Sequence, residues 1–244
     1  WAPVIGILAV IGIIYGALGC LAQTDMKRLI AFSSVAHMGF VMLGISTLTD
    51  FGINAALFGM VAHGLITGML FFVAGSVKHR YHTLEISRLS GMLIQMPRLG
   101  WILGFAAMAS LGLPGLAGFW GEFPAILSAY NPNFGLSEAL FRTLMVVAAI
   151  GTVFAAAYLL WLYQRTAFGR PNPEFEQGAH HPVGAGVNDE HHDVDLHDVT
   201  KIEWIAWTPF LIAIVVFGVY PQLMFGVMDP AVSLLIERVG AGIP

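Results

Sequence analysis

The stretch LGWILGFAAMASLGLPGLAGFWGEFPAILSA, residues 99–129, decides the fold. It is apolar on all sides apart from a single carboxylate, Glu122. An amphipathic helix on the surface of a water-soluble domain would confine its apolar residues to one stripe, so this segment belongs in lipid or a deep core. A straight crossing of the bilayer needs about 20 residues, and this run is longer. Its middle holds Gly112-Leu113-Pro114-Gly115, followed by Gly118 and Gly121. Proline lacks the backbone donor and clashes with the preceding turn, while glycine lets the chain leave helical geometry. The pattern predicts a membrane helix broken within the bilayer, with Glu122 seven residues beyond Gly115. The plainer reading of the same residues is a packing kink, which membrane helices tolerate.

Apolar runs at 1–22, 29–46, 51–77, 140–164 and 203–227 flank this one, making six in all. Over 244 residues the chain is 57% hydrophobic and 11% charged, with a mean hydropathy of +0.76. Soluble domains carry about 25% charged residues, so the solvent for this chain is lipid. Each run can satisfy its own backbone as a helix. Strands of a membrane barrel would instead alternate apolar and polar residues. The expectation is an all-α polytopic transmembrane bundle, a single membrane domain over 1–244, with one broken helix near Pro114 and a cytoplasmic loop over about 165–202.

Six spans place alternate connections on the same side. Connections 23–28, 78–98 and 165–202 hold nine basic residues, from Lys27 and Arg28 to Lys201, whereas the other side has only Arg142 and Arg238. That bias predicts that the basic side is cytoplasmic and that both ends of the segment face outward. The chain opens at Trp1 without Met, a basic leader or a cleavage site, and reads as part of a longer chain.

Three ionisable residues fall well inside the runs: His37 in the second, His63 in the third and Glu122 in the fourth. A charge at a helix centre costs on the order of 2.5–3.5 kcal/mol even by lenient insertion scales. Such groups need a partner, a water cavity or a proton. A carboxyl in a dry site holds its proton and releases it when a cation approaches, so Glu122 reads as a proton carrier; its plainer role is a neutral hydrogen bond pinning the break. Imidazole accepts a proton on one nitrogen while releasing one from the other, so His37 and His63 read as relays; singly, each could be an ordinary hydrogen-bonded core histidine. Ser33 and Ser34 lie near His37, and Thr67 near His63, with Ser33 and Thr67 one turn away, which predicts a hydroxyl on the face of each imidazole.

Other chemistries lack their residues. The chain has one cysteine, Cys20, in an apolar run, which suits packing and provides no iron–sulfur ligand set; no GxGxxG or P-loop is present, and no basic patch suits nucleic acid. Bis-histidine haem ligation by His37 and His63 has no paired spacing within one helix to support it. The segment 178–198 carries His180, His181, His191, His192 and His197 among several acids. These types can bind metals, but their spacing fits no defined site, and a solvated or subunit-contacting loop is the expectation. No metal site and no cofactor are expected in this chain.

At Thr24-Asp25-Met26-Lys27-Arg28-Leu29-Ile30-Ala31-Phe32-Ser33-Ser34-Val35-Ala36-His37-Met38-Gly39-Phe40, at Met60-Val61-Ala62-His63-Gly64, and at Ser110-Leu111-Gly112-Leu113-Pro114-Gly115-Leu116-Ala117-Gly118-Phe119-Trp120-Gly121-Glu122-Phe123, the chain resembles the antiporter-like membrane subunits of respiratory NADH:quinone oxidoreductase, complex I. The likeness is to the C-terminal half of the M (subunit 4) type and covers essentially all of the chain except the insert. It implies a fourteen-helix fold of two inverted five-helix repeats, each with a broken helix, of which this chain would supply helices nine to fourteen. It implies that Glu122 matches a protonatable residue that is glutamate in the M type and lysine in the L and N types. His37 and His63 match histidines linking the central polar axis to it. Gly112, Pro114 and Gly115 match the helix break. Lys27 matches a basic residue at a helix boundary, an interface or relay position whose plainer role is a snorkelling anchor.

The function so implied is outward proton pumping in a bacterial cytoplasmic membrane. It would be coupled to quinone reduction elsewhere in a translocase whose other subunits hold NADH, FMN, iron–sulfur clusters and quinone, with L-type and N-type subunits as neighbours. The alternative, sharing the same motifs, is a subunit of a multi-subunit cation/proton antiporter. A third possibility is a structural spacer in which the three ionisable groups only hydrogen-bond.

Overall fold

The computed structural model describes residues 1–175 and 196–241. Among these the chain is all-α: α1 (Ala2–Leu21), α2 (Met26–Ser46), α3 (Asp50–Tyr81), α4 (Met92–Gln95), α5 (Pro97–Ser110), α6 (Ala117–Ser128), α7 (Glu138–Ala167), α8 (Lys201–Val219) and α9 (Gln222–Ala241). Five of these helices, α1, α2, α3, α7 and α8, are long and apolar enough to cross a bilayer. Their starts follow from local chemistry. Asp25 accepts from the Arg28 amide, Thr49 from the Gly52 amide, and Thr200 forms a reciprocal capping box with Glu203, each satisfying donors that a helix start leaves open. The third helix ends where His82 turns left-handed.

The sixth crossing is the broken pair. Helices α5 and α6 have 14 and 12 residues, about 21 and 18 Å at 1.5 Å per residue, so neither spans roughly 30 Å of hydrocarbon alone. Between them Gly112 and Gly115 have φ of +73° and +93°, a region open to glycine and costly for other residues. Leu116 is extended and starts α6.

The run 203–227 is not one helix. It stops at Val219, and α9 begins at Gln222. Pro221 has no amide to continue the ladder, so Tyr220 gives the last bond, to the Val216 carbonyl. Helix α9 then packs along the start of α3, with Val232 and Ile236 against Ile53 and Phe225 against Phe58.

The three connections richest in basic residues meet at one end of the bundle. Met26 and Ile86 exchange backbone bonds with Leu84 and Thr24, and Ser90, Gly91 and Asn172 tie residues 88–91 to 168–172. At the opposite end the Asn133 amide donates to the Thr47 carbonyl.

The third helix is the axis of the core, and α2, α5, α6, α8 and α9 pack on it. It comes close to α6, where a Cβ added to Gly121 would stand 2.4 Å from the Gly59 Cα. Gly121→Val should therefore force the two helices apart, at about 1–3 kcal/mol for overpacking. The readout is a lower inactivation temperature of the purified assembly; an unchanged temperature would show that the contact is slack.

Candidate functional site

Four crossings converge on the break. The second helix brings His37, α3 brings His63 and Thr67, the last residue of α5 is Ser110, α6 carries Glu122, and α7 contributes Tyr158. His37 Nδ1 lies 2.5 Å from Glu122 Oε1, and their side chains are 5% and 14% exposed. One proton sits between these atoms, donated by Nδ1–H to the carboxylate or by the carboxylic acid to the bare nitrogen. On the other side of the ring, His37 Nε2 lies 3.1 Å from the Ser110 hydroxyl and 3.3 Å from the Tyr158 hydroxyl. With Nδ1 protonated, Nε2 accepts from them; when Nε2 gains a proton it donates. Both ring nitrogens are thus engaged, which leaves none for a haem iron.

The two imidazole centroids are 5.7 Å apart. Among the described residues, His63 Nε2 and Thr67 Oγ1 are buried without a hydrogen-bond partner, and both residues line a cavity of about 20 Å³ together with His37, Ser110 and Glu122. That volume accommodates one water, and the lining offers it several polar partners. Unmade bonds at buried polar atoms are expensive.

Glu122 also faces outward. It lines a groove of about 530 Å³ on the flank of the bundle, with Gly112, Phe123 and Thr152. Gly112 leaves the carboxyl its room, since a Cβ there would stand 3.3 Å from Glu122 Oε2. The carboxyl therefore stands between an inner polar cavity and an outer groove.

Thr67 shares the cavity with His63, but the hydroxyls expected beside His37 are placed differently. Ser33 and Ser34 bond back to the Ile30 carbonyl, the usual behaviour of serine within a helix, and do not reach His37. Its hydroxyl partners are Ser110 and Tyr158, from other helices. Lys27 is exposed in the first turn of α2, about 15 Å along the helix from His37, and stands apart from the cluster. Of the His-rich insert, His180, His181, His191 and His192 lie outside the described residues. Its last members act structurally: the His197 carbonyl accepts from Arg80, and the Asp198 carboxylate accepts from the amides of Arg98 and Leu99 at the start of α5. Among the described residues no group of three His, Cys, Asp or Glu could hold a metal.

Comparison with known proteins bears on the family and the fold. Residues 1–160 match the family model described as "NADH:quinone oxidoreductase/Mrp antiporter, TM". The chain is 37% identical over 232 residues to NADH-quinone oxidoreductase subunit M of Rhodobacter capsulatus, covering 95% of this chain and 40% of that one. It is 36% identical over 245 residues to an NAD(P)H-quinone oxidoreductase chain 4 of Synechococcus elongatus, covering 100% and 42% respectively. It thus spans less than half the length of these curated relatives. Among solved structures it superposes on a chain of respiratory complex I from Thermus thermophilus with a TM-score of 0.79 and 29% identity, over 97% of this chain and 44% of that one. It shares its fold with a chain of the Mrp complex from a Dietzia species at a TM-score of 0.76 and 19% identity, over 98% and 48%.

Proposed function

Because the chain belongs to the NADH:quinone oxidoreductase/Mrp antiporter family of membrane subunits, we propose that it is a proton-conducting part of an M-type subunit of NADH:quinone oxidoreductase. Quinone reduction in other subunits, which would hold the NADH, FMN, iron–sulfur and quinone sites, drives protons outward through it. L-type and N-type subunits are its neighbours in the bacterial cytoplasmic membrane, and both ends of this segment face outward. The observation that carries the reading is the 2.5 Å contact between His37 Nδ1 and Glu122 Oε1 at the helix break. A structural carboxyl could be satisfied by one fixed donor. A carboxyl sharing a proton with an imidazole whose far nitrogen meets two hydroxyls lies on a path.

A proton from the His63 side of the cavity reaches His37 Nε2 by way of the Ser110 hydroxyl. The ring then gives its Nδ1 proton to the Glu122 carboxylate, which becomes a neutral acid. Glu122 releases that proton into the outer groove when charge in the surrounding complex shifts.

In the whole complex reconstituted in vesicles, His37→Gln should reduce proton pumping about tenfold, less than the roughly 10²-fold typical of losing a general acid or base outright. Uncoupled NADH oxidation serves as the control for assembly. An unchanged ratio of protons to electrons would remove His37 from the path. Sodium exchange without accompanying redox subunits would favour the cation/proton antiporter instead.

A further inference from the structure

Helices α5 and α8 both pack on α3 and leave an apolar furrow of about 570 Å³ between them. Trp101 and Phe105 line one wall, Trp204, Ile212 and Val216 the other, and Arg98 stands at one end. From Trp204 to Val216 the furrow runs about 18 Å along a helix, close to the roughly 15 Å depth of one leaflet. Its Arg98 end lies where the basic connections gather, and the two tryptophans sit at that same end, as indoles do at a headgroup boundary.

The Asp198 carboxylate is engaged by the backbone amides of Arg98 and Leu99, and Glu203 by Arg80. Neither Arg98 nor Lys201 has a carboxylate partner among the described residues. A cation at the end of a leaflet-deep apolar furrow, with Lys201 one turn before Trp204, fits a ligand with one anionic head and one hydrocarbon tail. We infer that this furrow is a binding site for an anionic phospholipid, with the phosphate on Arg98 and an acyl chain between Trp101, Phe105, Ile212 and Val216.

The test is photo-crosslinking in membranes of cells that carry the whole complex, with a benzophenone amino acid in place of Trp101. Mass spectrometry of the labelled peptide should find phospholipid adducts in which phosphatidylglycerol or cardiolipin exceeds its bulk share about fivefold, the weight of one basic residue near an anionic surface. Arg98→Gln should return that ratio to the bulk value, and Arg98→Lys should keep most of the enrichment. If Arg98→Gln fails to assemble, the wild-type ratio and the lysine variant decide. An adduct ratio equal to the bulk membrane, or a protein adduct from another part of the chain or a neighbouring subunit, overturns the assignment. Proton pumping does not enter this readout, so it stands or falls apart from the role of Glu122.

Discussion

Glu122→Gln should leave the complex assembled and nearly abolish its proton pumping, slowing the transfer step by about 10²-fold or more. Glutamine has almost the shape of glutamate and its carbonyl can still accept from His37 Nδ1 at the present 2.5 Å contact. It cannot take up or release a proton. The loss therefore separates from packing, which would suffer if the side chain were merely a pin between α6 and α2. Glu122→Asp keeps the chemistry and withdraws the carboxyl by one methylene, so it should retain part of the activity. The measurement is NADH-driven acidification of inverted vesicles against NADH oxidation in the same preparation. Full pumping in Glu122→Gln would eliminate this carboxyl as a carrier and leave it a structural hydrogen bond.

Arg80→Ala should be strongly destabilising, at about 3 kcal/mol, the lower end for removing one partner of a buried ion pair, because Glu203 is 20% exposed. Arg80 is 2% exposed. Its guanidinium holds both oxygens of Glu203, at 2.9 and 2.7 Å, and also donates to the carbonyls of His197, Asp198 and Ser76. Truncation would leave the carboxylate without its cation, held only by Ser76 and by the amide and hydroxyl of Thr200, and would take the guanidinium donors from the His197 and Asp198 carbonyls, loosening α3 from α8 and from the segment that caps α5. Less assembled complex on native gels is the expected result. Replacing both Arg80 and Glu203 with leucine should recover part of the loss, since two absent charges cost less than one unpaired charge. If the single variant assembles as well as the double, the pair contributes little.

How much of this was visible in the sequence depends on how each feature acts. The spans are visible because lipid demands about 20 apolar residues from any crossing helix, and the break because Gly112, Pro114 and Gly115 are local statements about backbone geometry. The second interruption, at Pro221, hides because the stretches on both sides of it are mostly apolar and read as one run. Ionisable groups in hydrocarbon are conspicuous, so Glu122, His37 and His63 stand out. Their meeting does not, since His37 and Glu122 are 85 residues apart. Tyr158 gives no local signal: a tyrosine in an apolar helix reads equally well as a boundary residue. Arg80 counts among the basic side's charges like any other, and only its burial distinguishes it.

His37 is gripped at both nitrogens, by Glu122 on one side and by Ser110 and Tyr158 on the other. A ring so held works as a turnstile rather than a swinging arm. Each proton that enters at Nε2 and leaves from Nδ1 locks the imidazole in the opposite tautomer, its remaining N–H turned away from the carboxylate. Hydroxyls can re-aim by a single bond rotation, whereas this ring must break three contacts to turn over. Throughput is then governed by how quickly the turnstile is re-cocked, and the hop itself becomes the fast step of the cycle.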